Sequence, residues 1–236
     1  MGKTVLTALL LSHLRQSRLR AFAIKPFCSG GRSDAELLHE LQDNDLSLNE
    51  INPFYFPEPV APLVAARKHR RQIRMNDVLR HIDAAISRLL TIENRKSKIE
   101  NPALLIEGAG GLLAPLGENF NLLDLILALS RIRRQAFSIQ TIIVAPNRLG
   151  TINHTLLTAH RLRVAKIRRF KVVLTDASRP DASSKSNAAV LGELLAPNPV
   201  ECIPFLGRQA SRLGNIGKNS KRLAEVLARI ALPAGP

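Results

Sequence analysis

Apolar positions follow two rhythms that alternate along the chain. Helical spacing recurs over Val5, Leu6, Leu9, Leu10 and Leu14, over 35–41, and over Val78, Ile82, Ile86, Leu89 and Leu90 within 76–91. It returns over 122–130, 151–165, 186–195 and 218–231, and a short helix is expected at 60–66. Between these lie short runs that are apolar at nearly every residue, at 103–106, 141–145, 170–174 and 200–203, with a further strand expected at 19–27. A half-buried strand would alternate, so such runs predict strands covered on both faces. Strands alternating with helices predict an α/β fold: a mostly parallel sheet between helical layers, with ligands at the carboxyl ends of the strands. Residues 42–62, rich in Pro and Asn, read as a long loop packed over such a site.

Composition narrows this picture. A chain of 236 residues with 45% hydrophobic content can bury one full core, so a single domain over 1–236 is expected. No apolar run is long enough to span a bilayer, and the N-terminus lacks the pattern of a signal peptide. Cys28 and Cys202 lack metal-ligand spacing, which fits a reducing cytoplasm better than a disulfide scaffold. The net charge of +15 would draw in anions of every kind. Its clusters, at Arg67–Arg74, Arg131–Arg134 and Arg161–Lys171, are not interleaved with aromatics, so a solvated basic surface is expected and no specific nucleic acid.

The candidate chemistry lies at strand ends. The run 103–106 leads into one carboxylate, Glu107, and then into Gly108, Ala109, Gly110 and Gly111. A carboxylate at the mouth of a buried strand needs a cation or several donors, and glycines let backbone amides approach phosphate oxygens. A plain turn with Glu107 paired to an arginine would read the same way. Gly2-Lys3-Thr4 at a helix start is the second half of a phosphate-binding loop, or simply a helix start. Lys25 ends a run that reads as an interior strand and would need an anionic partner; Ser29 lies in the turn after it. Asp34 is either a helix cap or a metal ligand. Gly150 with Thr151 and Asn153 opens a helix whose first amides can receive an anion. His154 and His160 lack ligand spacing.

Taken in order, these stretches resemble dethiobiotin synthetase over nearly the full length. The matches are Gly2-Lys3-Thr4, Lys25-Pro26 with Ser29-Gly30, Ser33-Asp34-Ala35, Asn52-Pro53 with Glu58-Pro59 and Ala61-Pro62, Glu107 to Gly111 with Pro115-Leu116, Leu149 to His154, and Pro204-Phe205-Leu206. The resemblance implies a P-loop fold and a ligase that uses ATP, Mg²⁺ and CO₂ to close the ureido ring of dethiobiotin from 7,8-diaminopelargonate. It implies that Lys3 holds the outer phosphates and Lys25 neutralises γ-phosphate and carbamate oxygens. Thr4, Asp34 and Glu107 would gather Mg²⁺, with Gly2, Gly108, Ala109 and Gly110 also meeting ATP and Pro204, Phe205 and Leu206 flanking adenine. Ser29, Gly111, Gly150, Thr151, Ile152 and Asn153 would meet substrate, the last four across a homodimer interface.

The chain departs from the family pattern twice. Thr175 stands where the family usually has Asn, so relaxed base selectivity is expected. The first strand and the first half of the phosphate loop are absent before Gly2, and Met1 is expected to be an internal residue of a longer protein. Other readings are a truncated inactive P-loop protein, a partition-type regulatory ATPase that shares Gly-Lys-Thr, and, on charge alone, a nucleic-acid-binding protein.

Overall fold

A computed structural model describes residues 2–91, 102–132 and 138–232. The chain opens on helix α1 (Lys3–Gln16), then strands β1 (Ala21–Ile24) and β2 (Phe27–Ser29), helices α2 (Ser33–Leu41) and α3 (Leu48–Ile51), and strand β3 (Phe54–Phe56). Helices α4 (Pro62–Lys68) and α5 (Met75–Thr91) precede β4 (Ala103–Ile106), the pair β5 (Pro115–Gly117) and β6 (Phe120–Asn121), and α6 (Leu122–Ile132). The remainder runs β7 (Thr141–Pro146), α7 (Thr151–Val164), β8 (Phe170–Thr175), α8 (Asn187–Leu195), β9 (Val200–Ile203), α9 (Leu213–Arg222) and α10 (Ala224–Ala231). Parallel pairing joins β1 to β4 and, separately, β7 to β8 to β9. The architecture is the α/β, P-loop type expected from the sequence.

Several elements differ from the expectation. The strand at 19–27 is two strands, because Lys25-Pro26 breaks it: β1 stays with β4, while β2 pairs in parallel with β3. The loop at 42–62 therefore contains both β3 and α3, the latter fixed by a capping box in which Ser47 and Glu50 exchange side-chain and backbone bonds. The β5–β6 hairpin was not foreseen, and the expected helix at 218–231 is two helices, α9 and α10. Leu90, assigned to the buried side of α5, is half exposed. Parts of two readings, Arg133 with Arg134 and Met1, lie outside the described residues, as does the tail after 232.

The larger correction concerns strand burial. β8 is buried up to its last residue, Thr175, with Phe170, Val172, Val173 and Leu174 at 0% exposure. β4 is only partly buried, and Ile106 is 36% exposed. β7 is likewise partly buried over Thr141 to Val144. The reason is pairing: β8 has neighbours on both edges, whereas β4 and β7 are each bonded to one strand among the described residues. Among the described residues β4 and β7 are not paired to each other, so these parallel strands fall into two groups.

Side chains close the opposite edge of β1. Gln42, fully buried, accepts from the Ala23 amide at 2.8 Å and donates to the Ala23 carbonyl at 3.1 Å, substituting for a neighbouring strand. One core gathers α1, β1, α2 and α5; a second gathers β8, α7 and α8.

Candidate active site

The carboxyl ends of β1 and β4 converge on the N-terminus of α1. Lys25 follows β1, Glu107 follows β4, Asp34 lies in the first turn of α2, and Thr4 lies in the first turn of α1. Lys25 Nζ donates to Glu107 Oε1 at 2.8 Å and to Thr4 Oγ1 at 3.3 Å, and also bonds Asp34. Thr4 Oγ1 donates to the same Glu107 oxygen at 2.7 Å. Four residues that are far apart in sequence thus form one cluster. The cap of α2 is Arg32, so Asp34 is free of the capping role.

The cluster is buried and only partly satisfied. Lys25 is 9% exposed and Glu107 4%, while Glu107 Oε2 is buried with no partner. Burial would depress the Lys25 pKa, but the Glu107 and Asp34 carboxylates outweigh it and hold the ammonium above its ordinary value. Burial pushes the neighbouring Cys28 thiol up to about 11, against the opposing charge of Lys25. The first turn of α1 contains no acidic residue, so its unpaired amides and positive dipole end stay available to an anion.

Glycines close the approach. Gly2 packs so closely on Thr175 that an added Cβ would lie 2.7 Å from its methyl group, which ties the start of α1 to the end of β8. Gly108 lies under Leu122, where a Cβ would come within 2.6 Å, and Gly110 adopts φ +66. Gly30, at φ +83, faces Pro59 and leaves no room for a side chain.

A family model described as "AAA domain" matches residues 1–216. An ATP-dependent dethiobiotin synthetase of Bacillus licheniformis is 33% identical over 212 residues, covering 87% of this chain and 79% of that protein. One from Anaeromyxobacter sp. (strain Fw109-5) is 32% identical over 235 residues, covering 98% and 92%. The Bacillus subtilis protein of the same name is 30% identical over 93% and 86%. The chain belongs to the dethiobiotin synthetase family. It is a member of a family of ATP-dependent ligases.

The other expected site residues of this family member lie at strand ends and helix starts outside the Lys25 cluster. Ser29 ends β2, with its hydroxyl buried and unpartnered. Gly111 is open, with nothing within 4 Å of an added Cβ, and Lys3 opens α1 half exposed. Gly150, at φ +89, begins α7, followed by Thr151, Ile152 and Asn153. A cleft of about 250 Å³ there is lined by Ile143, Val144, Ala145, Thr151, His154 and Thr155. The Thr151 and Thr155 hydroxyls face no partner although both residues are buried. Pro204, Phe205 and Leu206 follow β9, with Phe205 exposed.

Two side chains that sequence reasoning did not single out for the site are Arg32 and Asn52. Arg32 lies between the Ser29-Gly30 turn and Asp34, and Asn52 was noted only as part of a loop motif. Their signals are an arginine next to a candidate metal ligand and an asparagine before proline. Neither can be told from an ordinary turn without the contacts.

Proposed function

We propose that this chain, folding as one unit over 1–236, converts 7,8-diaminopelargonate and CO₂ to dethiobiotin at the expense of ATP. The observation that carries the reading is the single ammonium, Lys25, bonded to Thr4, Asp34 and Glu107 at the N-terminus of α1. CO₂ traps one amine as a carbamate, whose oxygen attacks the γ-phosphorus while ADP leaves. The second amine then attacks the carbamoyl carbon and expels phosphate. Each stage brings anionic oxygens together, so cations and aligned amides dominate.

Lys25 neutralises the γ-phosphate and carbamate oxygens, Lys3 reaches the outer phosphates, and the first amides of α1 receive them. The donor set of Thr4, Asp34 and Glu107 is all hard oxygen, and Glu107 Oε2 has a buried lone pair without a partner, so the residues fit Mg²⁺. Bound there, Mg²⁺ would offset charge on the phosphate oxygens. Gly2, Gly108, Ala109 and Gly110 offer their backbone to ATP, and Pro204, Phe205 and Leu206 flank its base. Ser29 and Gly111 meet the diamine end of the substrate. Its carboxylate would lie against the first turn of α7, at Gly150, Thr151, Ile152 and Asn153, in a homodimer. No described helix is long and apolar enough to cross a membrane, and both cysteines are free thiols, in keeping with a cytoplasmic enzyme.

The deciding measurement is dethiobiotin formation from diaminopelargonate, bicarbonate and MgATP, with ADP release in equal amount. Folded protein that releases ADP without diaminopelargonate, and never forms dethiobiotin, would overturn the reading in favour of a regulatory ATPase.

A further inference from the structure

Lys25 lies where β1 has ended, and Pro26 prevents the ladder from continuing. What then fixes its backbone is Asn52, which is fully buried. The Asn52 amide donates to the Lys25 carbonyl at 2.9 Å and to the Pro26 carbonyl at 3.3 Å. The Lys25 amide donates in turn to the Ile51 carbonyl at 3.0 Å. Asn52 is itself held by Arg32: Nε donates to the Asn52 side-chain oxygen at 3.1 Å, and the terminal nitrogen to the Asn52 carbonyl at 2.8 Å. The same guanidinium bonds Asn49 Oδ1 at 2.7 Å and the Leu48 carbonyl at 3.3 Å, and its centre lies 5.3 Å from the Tyr55 ring centroid.

Arg32 is also the N-terminal cap residue of α2, two positions before Asp34. The one buried amide therefore fixes both sides of the ion pair, Lys25 through its carbonyl and Asp34 through the start of α2. We propose that Arg32 and Asn52 form a positioning unit that sets the Lys25 ammonium between Asp34 and Glu107. Neither residue touches the reacting groups. Each acts through the backbone that carries a group which does. A planar fork is needed because Arg32 must meet the side chain and the main chain of Asn52 together, which an ammonium cannot do in the same geometry. The inference deepens the functional reading above, and only its kinetic arm rests on that reading.

The test compares Arg32→Ala, Asn52→Ala and the double variant with the parent chain, each checked for folding by circular dichroism. The first readout is acetylation of individual lysines by acetic anhydride, followed by mass spectrometry. Lys25, protected in the parent, becomes several-fold more reactive in each variant, while Lys218 and Lys221 do not change. The double variant exceeds Asn52→Ala by no more than measurement error, because the two residues act in series. The second readout is turnover: kcat falls by on the order of 10²-fold while KM for MgATP is unchanged, as expected when a reacting group is displaced by about an ångström. Arg32 is only half-buried, so its variant remains informative if Asn52→Ala fails to fold. Folded variants in which Lys25 stays as protected as in the parent would overturn the proposal. A parent chain that labels as expected yet makes no dethiobiotin would overturn the functional reading and leave the positioning unit standing.

Discussion

Among the described residues two lysines are buried, one just after β1 and one on β8, and they meet opposite kinds of partner. Lys25, at the end of β1, points at two carboxylates and a hydroxyl. Lys171, on β8, points at the neutral carbonyls that end α10: those of Arg229, of Ile230 at 3.2 Å and of Leu232 at 2.6 Å. Burial lowers the Lys171 pKa, only partly opposed by Glu201. At Lys25 the same burial is outweighed by Glu107 and Asp34. A cation capping a helix end satisfies orphan carbonyls and holds two elements together. A cation locked among carboxylates is instead, on the proposed reading, placed to turn to incoming phosphate, which would leave the carboxylate oxygens, Glu107 Oε2 among them, to a metal ion.

The comparison is sharpened most by deleting each ammonium. Lys25→Met is expected to lower dethiobiotin turnover by about 10²–10³-fold, the scale of removing one electrostatic stabiliser from a preorganised site. Lys171→Met should leave turnover within a few-fold and lower stability to urea by about 1–3 kcal/mol, because carbonyls at the end of α10 lose their donor. Turnover that fell equally in both variants would erase the distinction.

A smaller effect separates the two by pH. The folded-state pKa of Lys25 is above the unfolded value near 10.5, so its stabilisation is complete below that pH and is lost as pH rises through the folded value. The folded-state pKa of Lys171 is below 10.5, so its burial cost is relieved as pH climbs from the folded value towards 10.5. In urea titrations from pH 8 upwards, Lys171→Met should flatten a rise in stability below 10.5, and Lys25→Met should flatten a fall above it. A parent profile with neither feature would contradict both directions.

Much of this was legible in the sequence, and where it was not the reason is physical. Helical periodicity placed α1, α5 and α7 within a residue or two, because a stripe at 3.6-residue spacing is a local property. Continuous apolar runs located β4, β7, β8 and β9, yet the burial read from them held for β8 alone. Whether Leu104 and Leu105 are covered depends on which strand lies beside β4, and that is decided far away in sequence. Thr4, Lys25, Asp34 and Glu107 could be collected as oxygen donors and a cation at separate strand ends, and they do meet. Arg32 and Asn52 could not, since an arginine reaching 20 positions along the chain to an asparagine leaves no periodic trace.

The smallest effect tests how far the Lys25 charge reaches. Cys28 and Cys202 are both held above the ordinary thiol range by burial, and Cys28 also feels Lys25, which opposes its rise. Removing the ammonium in Lys25→Met should therefore raise the Cys28 pKa beyond about 11 and reduce its thiolate fraction further. Alkylation by iodoacetamide at pH 8 should slow a few-fold at Cys28, about tenfold for each unit of pKa, and stay unchanged at Cys202. Lys171→Met should move neither. A faster Cys28 in Lys25→Met would mean that the lysine stem shields the thiol more than its charge activates it, and the electrostatic reach assigned to Lys25 would then be confined to Thr4, Asp34 and Glu107.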